Sequence, residues 1–146
     1  MSESPIDYQA VFESLPVPLL LLRPDLTMIN ANEAYCRISG RSSRELTGQR
    51  VLDAFPDNPS EPAASGTQNL GDSLRRVLDS GKPDVMALQR YDVEAPEYPG
   101  HFEERYWCPV NVPVLAGDGS VGLIIHCVEE VSDLIRKFVE AQAASA

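Results

Sequence analysis

The chain predicts an α+β domain in which helices pack on an antiparallel sheet, and three observations carry that prediction. Two β-rich runs within Phe102–Val131 flank Gly117-Asp118-Gly119-Ser120, and Asp-Gly between apolar runs marks a hairpin because it supplies residues that tolerate positive φ. A helical pattern, Leu70, Leu74, Val77 and Leu78, stands upstream of it. Shorter β-rich runs before and after that helix, Leu19–Arg23, Met28–Ala31 and Asp84–Val93, complete the sheet.

If Asp118 and Gly119 form a two-residue loop, Asn111 faces His126, Pro113 faces Ile124 and Pro109 faces Val128. Trp107, Pro109, Asn111, Pro113, Ile124, His126 and Val128 then share one face, and Cys108, Val110, Val112, Val114, Leu123, Ile125 and Cys127 share the other. The second face is apolar and needs a cover. The first is mixed, and with Trp107, Asn111 and His126 together it has the chemistry of a pocket wall.

The remaining elements follow in order. Ser4–Leu15 reads as a short amphipathic helix with Tyr8, Val11, Phe12 and Leu15 at helical spacing, ended by Pro16 and Pro18. Leu19–Arg23 reads as a buried strand, and Pro24-Asp25-Leu26-Thr27 turns the chain into Met28–Ala31. Asn32 can cap a helix carrying Ala34, Tyr35 and Ile38, which Gly40 stops, and Ser42 or Ser43 caps another short turn through Leu46, closed by Gly48. Val51–Phe55 is apolar, while Asp57–Asn69 is small, polar and Pro-rich and reads as a surface loop. The helix Leu70–Ser80 ends at Gly81, and in the strand Asp84–Val93 residues Met86, Leu88 and Arg90 fall opposite Val85, Ala87 and Tyr91. Asp92–Gly100, with two prolines and two glutamates, predicts a mobile tip. After Val131, residues Leu134, Ile135, Phe138 and Val139 continue at helical spacing, and the Ala- and Gln-rich end carries no stop signal, as expected of a helix leading to a further domain.

At 146 residues the chain predicts one domain, long enough to hold a core without staples. A formal net charge of −10 argues against a nucleic-acid surface, which needs clustered Lys and Arg. Cys36, Cys108 and Cys127 form no close pair and are odd in number, as expected of free thiols in a reducing cytoplasm. The longest apolar run, Val17–Leu22, is far short of the roughly 20 residues of a membrane span, and no basic leader precedes it.

Asn32-Glu33-Ala34-Tyr35 with Ile38-Ser39-Gly40, Ser43-Arg44-Glu45-Leu46-Thr47-Gly48, Trp107 followed by Pro113-Val114 and Asp118-Gly119, and Glu130-Val131-Ser132 occur in the order of the motifs of bacterial sensory PAS domains, which this chain resembles over nearly its whole length. The resemblance implies the PAS fold: a five-stranded antiparallel sheet of order 2-1-5-4-3, with short helices around a small-molecule pocket on one face and flanking helices on the other. It divides the chain into an N-terminal flanking helix (1–16), a PAS core (17–131) and a C-terminal exit helix (132–146). It also implies a pocket drawn from Asn30, Tyr35, Leu88, Arg90, Trp107, Asn111, Ile124 and His126. Flanking-helix residues Phe12, Leu15, Leu134, Ile135 and Phe138 are then expected to mediate homodimerisation and signal relay to an attached output, such as a histidine kinase of a two-component system, a cyclic-dinucleotide enzyme or a transcription regulator.

The cofactors of relatives fit this chain poorly. The flavin light sensors need an Asn-Cys-Arg-type motif on a middle helix, and the photoactive-yellow type attaches its chromophore through a cysteine in the same region, yet no cysteine lies between Cys36 and Cys108. Haem-binding relatives place an axial His on or near the helix that here spans Leu70–Ser80, which has none. No cofactor is therefore expected, and His101 and His126 with these cysteines have no metal-ligand spacing. His126 is either a core histidine paired with Asn111 or with backbone, or a ligand contact. Arg90, if it points into a half-apolar cavity, needs an anion: either a nearby carboxylate such as Glu103 or Glu104, or an acidic group on a small metabolite.

Three functions compete. The first is a ligand-sensing input module that acts through a dimeric exit helix, favoured by the apolar stripe Val131, Leu134, Ile135 and Phe138, which is short of partners within one chain. The second is a dimerisation or interaction module with a filled core, favoured by a cavity under roughly 100 Å³. The third, an enzyme, lacks any carboxylate pair, Cys/His dyad or phosphate loop at a useful spacing. His126 and Cys127 are sequence neighbours and point to opposite faces of a strand.

Overall fold

A computed structural model of the chain describes residues 4–60, 66–90, 92–95 and 97–145. Helix α1 (Tyr8–Ser14) precedes strands β1 (Leu19–Leu22) and β2 (Met28–Ala31), then the short helices α2 (Glu33–Ser39), α3 (Ser43–Leu46) and α4 (Val51–Ala54). Helix α5 (Gly66–Ser80) leads into β3 (Asp84–Val85), β4 (Gln89–Arg90), the small ribbon β5 (Val93–Glu94) and β6 (Phe102–Glu103), the long strands β7 (Tyr106–Leu115) and β8 (Val121–Glu130), and α6 (Ser132–Ser145). The main sheet runs β2-β1-β8-β7-β3 with β4 also on β7, every pair antiparallel. With β3 and β4 taken as one broken edge strand, this is the predicted order of five strands. It differs in the break and in the added β5–β6 ribbon.

The expected caps are present: Asn32 caps α2, Gly40 ends it at φ 70°, and of the two serines Ser42 caps α3, while Asp7 caps α1. Helix α5 starts four residues before the predicted Leu70, inside the stretch read as loop; 61–65 of that stretch lie outside the described residues. The described part of the segment read as a mobile tip carries a hairpin, in which Val93 pairs with Glu103 and the Ala95 N–H donates to the His101 carbonyl at 2.9 Å.

In the central hairpin the predicted partners all meet: Asn111 with His126, Pro113 with Ile124, and Pro109 with Val128. The turn itself differs. The Gly119 N–H donates to the Ala116 carbonyl and the Ala116 N–H to Ser120, with Gly119 at φ 86°, which is a three-residue loop closed by a left-handed residue. Leu115 pairs with Val121 but Val114 pairs with Leu123, so Gly122 is an extra residue on β8. That bulge cancels the odd loop and restores the predicted face assignment.

The edge strand breaks parity. Asp84 pairs with Asn111 and Val85 with Val110, but Gln89 pairs with Trp107 and Arg90 with Tyr106, so between Val85 and Gln89 the edge spends one residue more than β7 does. Met86 faces the core as expected, but beyond it the extra residue turns Gln89 inward and leaves Leu88 and Arg90 exposed. Tyr91, assigned to the opposite face from sequence, lies outside the described residues.

The core lies between the inner sheet face and helices α2–α5, around Leu20, Leu22, Leu46, Leu74, Val77 and Ile124. The described residues do not form the expected helical roof on the outer face: Val110, Val112, Ile125 and Cys127 are half-exposed and Cys108 and Val114 exposed. Helix α6 projects from the sheet, with Leu134 66% and Phe138 62% exposed and Ile135 half-buried. On the N-terminal side Phe12 is half-buried and Leu15 exposed. None of the described helices is long and apolar enough to cross a membrane.

Candidate functional site

A cavity of about 80 Å³ lies between the inner sheet face and the helices. Strand β7 contributes Trp107 and Pro109, β8 contributes His126 and Val128, and the edge contributes Met86 and Gln89. Tyr35 of α2, Val51 of α4, Phe55 just after it and Leu70 of α5 close the other side. No charged side chain is among the described residues that line it. Among the described residues no three His, Cys, Asp or Glu side chains gather as a metal site requires.

The polar feature of this wall is a chain of hydrogen bonds that begins at the surface. Arg76 of α5 grips Asp84 of β3 through both carboxylate oxygens, at 3.0 and 2.9 Å. Ser73, one turn back on α5, donates its hydroxyl to Asp84 at 2.5 Å. Asn111 Nδ2 donates to Ser73 Oγ at 2.8 Å and approaches Met86 Sδ at 3.6 Å. Asn111 Oδ1 lies 2.7 Å from His126 Nδ1. Arg76 and then Ser73 hold the Asp84 carboxyl below the usual carboxylate range. Burial pushes His126 down from its ordinary 6.5 to about 4, so the ring is neutral at physiological pH. Tyr35 stands edge-on to the imidazole, with ring centroids 6.3 Å apart and planes at 69°.

Of the eight residues expected at the pocket, Tyr35, Trp107 and His126 line the cavity. Asn111 and Ile124 point inward and are fully buried behind its surface. The other three are corrected. Asn30 pairs with Leu21 on the far side of the sheet from Leu20 and Leu22, and its Oδ1 accepts from Ser43 Oγ at 2.6 Å. The edge bulge turns Leu88 outward, and the same reversal carries Arg90 out of the cavity to Asp92, at 3.1 and 3.2 Å, and to Glu104 at 3.7 Å. Its carboxylate partners are protein groups; Glu104 was one of the two foreseen. Arg90→Ala is therefore expected to leave occupancy of the cavity unchanged but, because it takes the charged partner from an Asp92 carboxylate only 4% exposed, to lower stability by about 2 kcal/mol in urea titrations.

Sequence reasoning missed Gln89, Phe55 and Leu70 as lining residues. The Gln89 Oε1 accepts from Asn69 Nδ2 at 2.7 Å and its Nε2 donates to the Ala87 carbonyl at 2.8 Å, so its polar ends are already engaged. Ser73 and Asp84 went unnoticed because each lies on a different element and acts only through Asn111.

The family model described as the PAS fold matches residues 12–136. No curated protein matches the chain. Among solved structures, the PAS domain of a protein from Colwellia psychrerythraea superposes with TM-score 0.67 at 10% identity, over 86% of this chain and 95% of that one. A sensory box sensor histidine kinase from Vibrio cholerae gives 0.57 at 18% identity, over 86% and 89%. The PAS domain, in complex with ethanol, of a LuxR-family transcriptional regulator from Burkholderia thailandensis gives 0.62 at 16% identity, over 87% and 99%. With its sheet order, its helix-covered inner face and a family match over most of its length, this chain belongs to the PAS family.

Proposed function

We propose that the chain is the sensory module of a signal-transduction protein, that its cavity takes a small organic molecule, and that occupancy is passed to an attached output through a dimeric α6. The observation that carries this reading is the wiring of β7. Trp107 stands in the cavity wall, and its neighbour Tyr106 holds the root of α6 by both backbone groups: its carbonyl accepts from the Val131 N–H at 2.8 Å and its N–H donates to Ser132 Oγ at 2.9 Å. Arg105 adds ion pairs to Glu103 and Glu130 at the same junction. A shift of Trp107 is thus one residue from the start of the exit helix.

The exposed stripe of Leu134 and Phe138 on α6 supports the dimer. The ethanol-bound domain and the sensor kinase among the similar structures support a ligand and an output, and a sequence without a carboxylate pair, Cys/His dyad or phosphate loop at a useful spacing supports a non-enzymatic module. A cavity of this size and the missing motif residues support a chain without flavin, haem or covalent chromophore, which a colourless sample would bear out. The three free cysteines support a cytoplasmic setting.

One observation favours the second reading, an interaction module with a filled core: the cavity's 80 Å³ is below the 100 Å³ mark. The two separate cleanly. Trp107 is the only tryptophan, so its fluorescence reports the cavity directly. The sensory reading expects small neutral molecules to shift that emission, and Leu134→Glu with Phe138→Glu to convert a dimer to monomer in sedimentation while leaving the emission shift intact. A dimer with no fluorescence response to any such molecule would establish the interaction module instead.

A further inference from the structure

The hydrogen-bond chain behind the cavity has a direction, and the direction is set at its outer end. Asp84, ionised and clasped by Arg76, only accepts, so the Ser73 hydroxyl at 2.5 Å must give it the proton. Ser73 Oγ therefore faces Asn111 as an acceptor, and the Asn111 group 2.8 Å away must be its NH2. That places the Asn111 carbonyl toward His126, 2.7 Å from Nδ1, and a carbonyl there requires the imidazole proton on Nδ1. In a neutral ring the other nitrogen, Nε2, is then a bare acceptor, and it has no hydrogen-bond partner among the described residues although His126 is only 5% exposed. Nδ1 is turned away to Asn111, so Nε2 is the polar atom this side chain has left to offer the cavity it lines.

We propose that the cavity selects neutral molecules of a few heavy atoms bearing one hydrogen-bond donor, a hydroxyl or a ring N–H, which is given to His126 Nε2, and that Asp84, Ser73 and Asn111 act as positioning residues that impose this preference by fixing the imidazole tautomer. The inference rests on the reading that the cavity takes a ligand and adds the class of ligand. Anions are excluded by chemistry: a carboxylate would meet a lone pair with no cation among the described lining residues. Molecules that only accept leave Nε2 buried and unsatisfied, a loss donors avoid.

Two measurements on the intact chain test it. The histidine 15N spectrum of the unliganded protein is expected to show His126 protonated at Nδ1 at pH 7; protonation at Nε2 overturns the proposal whatever binds. Titrations followed by Trp107 fluorescence then compare pairs of equal size, pyrrole against furan and 2-propanol against acetone, with acetate as the anion. Donors are expected to bind roughly tenfold more tightly than their partners, in keeping with one buried hydrogen bond, and acetate not at all. Equal binding within each pair overturns the donor preference while leaving a ligand-binding cavity; no binding by any probe overturns the ligand reading itself, and the proposal with it. Ser73→Ala frees the Asn111 amide to turn over, so this variant is expected to lose the donor preference and to show a changed His126 15N pattern. A Ser73→Ala protein that keeps both would overturn the role of the chain, and the wild-type spectrum and pairs stand alone should the variant fail to fold.

Discussion

Asn32→Ala is expected to lower stability by about 3 kcal/mol, a large share of what a domain of this size holds. Asn32 is wholly buried, and its amide joins three parts of the fold. Its Oδ1 accepts from the Tyr35 N–H, as the cap of α2, and from the Leu19 N–H at the start of β1, both at 3.0 Å. Its Nδ2 donates to the Val17 carbonyl at 2.9 Å, to Phe12 at 3.2 Å and to Leu15 at 3.4 Å, which fastens the end of α1 and the following loop. Losing the cap costs about 1 kcal/mol, and each buried backbone group left without a partner about as much again or more. Asn32→Asp separates the two roles. It keeps the cap oxygen but turns a carboxylate toward three carbonyl oxygens, so it is expected to be at least as damaging as Ala. Urea midpoints of the three proteins decide this, and an Asp variant within about 0.5 kcal/mol of wild type would show that only the cap matters.

The cap was legible because Asn before an apolar helical pattern has one common use. Its second role was not, since nothing in the spacing says that residues 12, 15 and 17 curl back over it. The two sheet parities show the same limit. The inward face of β7 and β8 was predicted correctly although the loop holds three residues, because the extra residue at Gly122 compensates for it. No such correction exists at the edge, where Ala87 and Leu88 carry no glycine or proline to mark a bulge, and Asn69, Gln89 and the Asn58–Asp92 bond at 2.9 Å hold the chain in the altered register. One unmarked residue was enough to exchange Arg90 for Gln89, and with it a cationic pocket for a neutral one. The pair His126–Asn111 was visible from pairing alone; its continuation through Ser73 and Asp84 was not, because Ser73 lies beside the apolar stripe of α5 and reads as a small interruption of it.

The acid response of the fold is expected to be dominated locally by His126. Its folded pKa, about 4, is below the ordinary 6.5, so between those values the unfolded chain takes up a proton that the native core refuses. The stabilising contribution is complete above about pH 6.5 and is lost as pH falls toward 4, about 2 kcal/mol of it by pH 5 and about 3 by pH 4. Neighbouring groups do not offset this: the described lining residues carry no charge, and Asp84 is reached only through Asn111 and Ser73. His126→Gln removes the titration while retaining a polar side chain opposite Asn111. Other carboxylates titrate alike in both proteins, so the difference between the two unfolding free energies, taken in urea from pH 7.5 to 4, isolates the imidazole. Wild type is expected to lose about 3 kcal/mol relative to the variant over that range. Parallel curves would mean that the ring is solvated or ion-paired, and an ion pair there would also remove the neutral acceptor on which recognition by Nε2 depends.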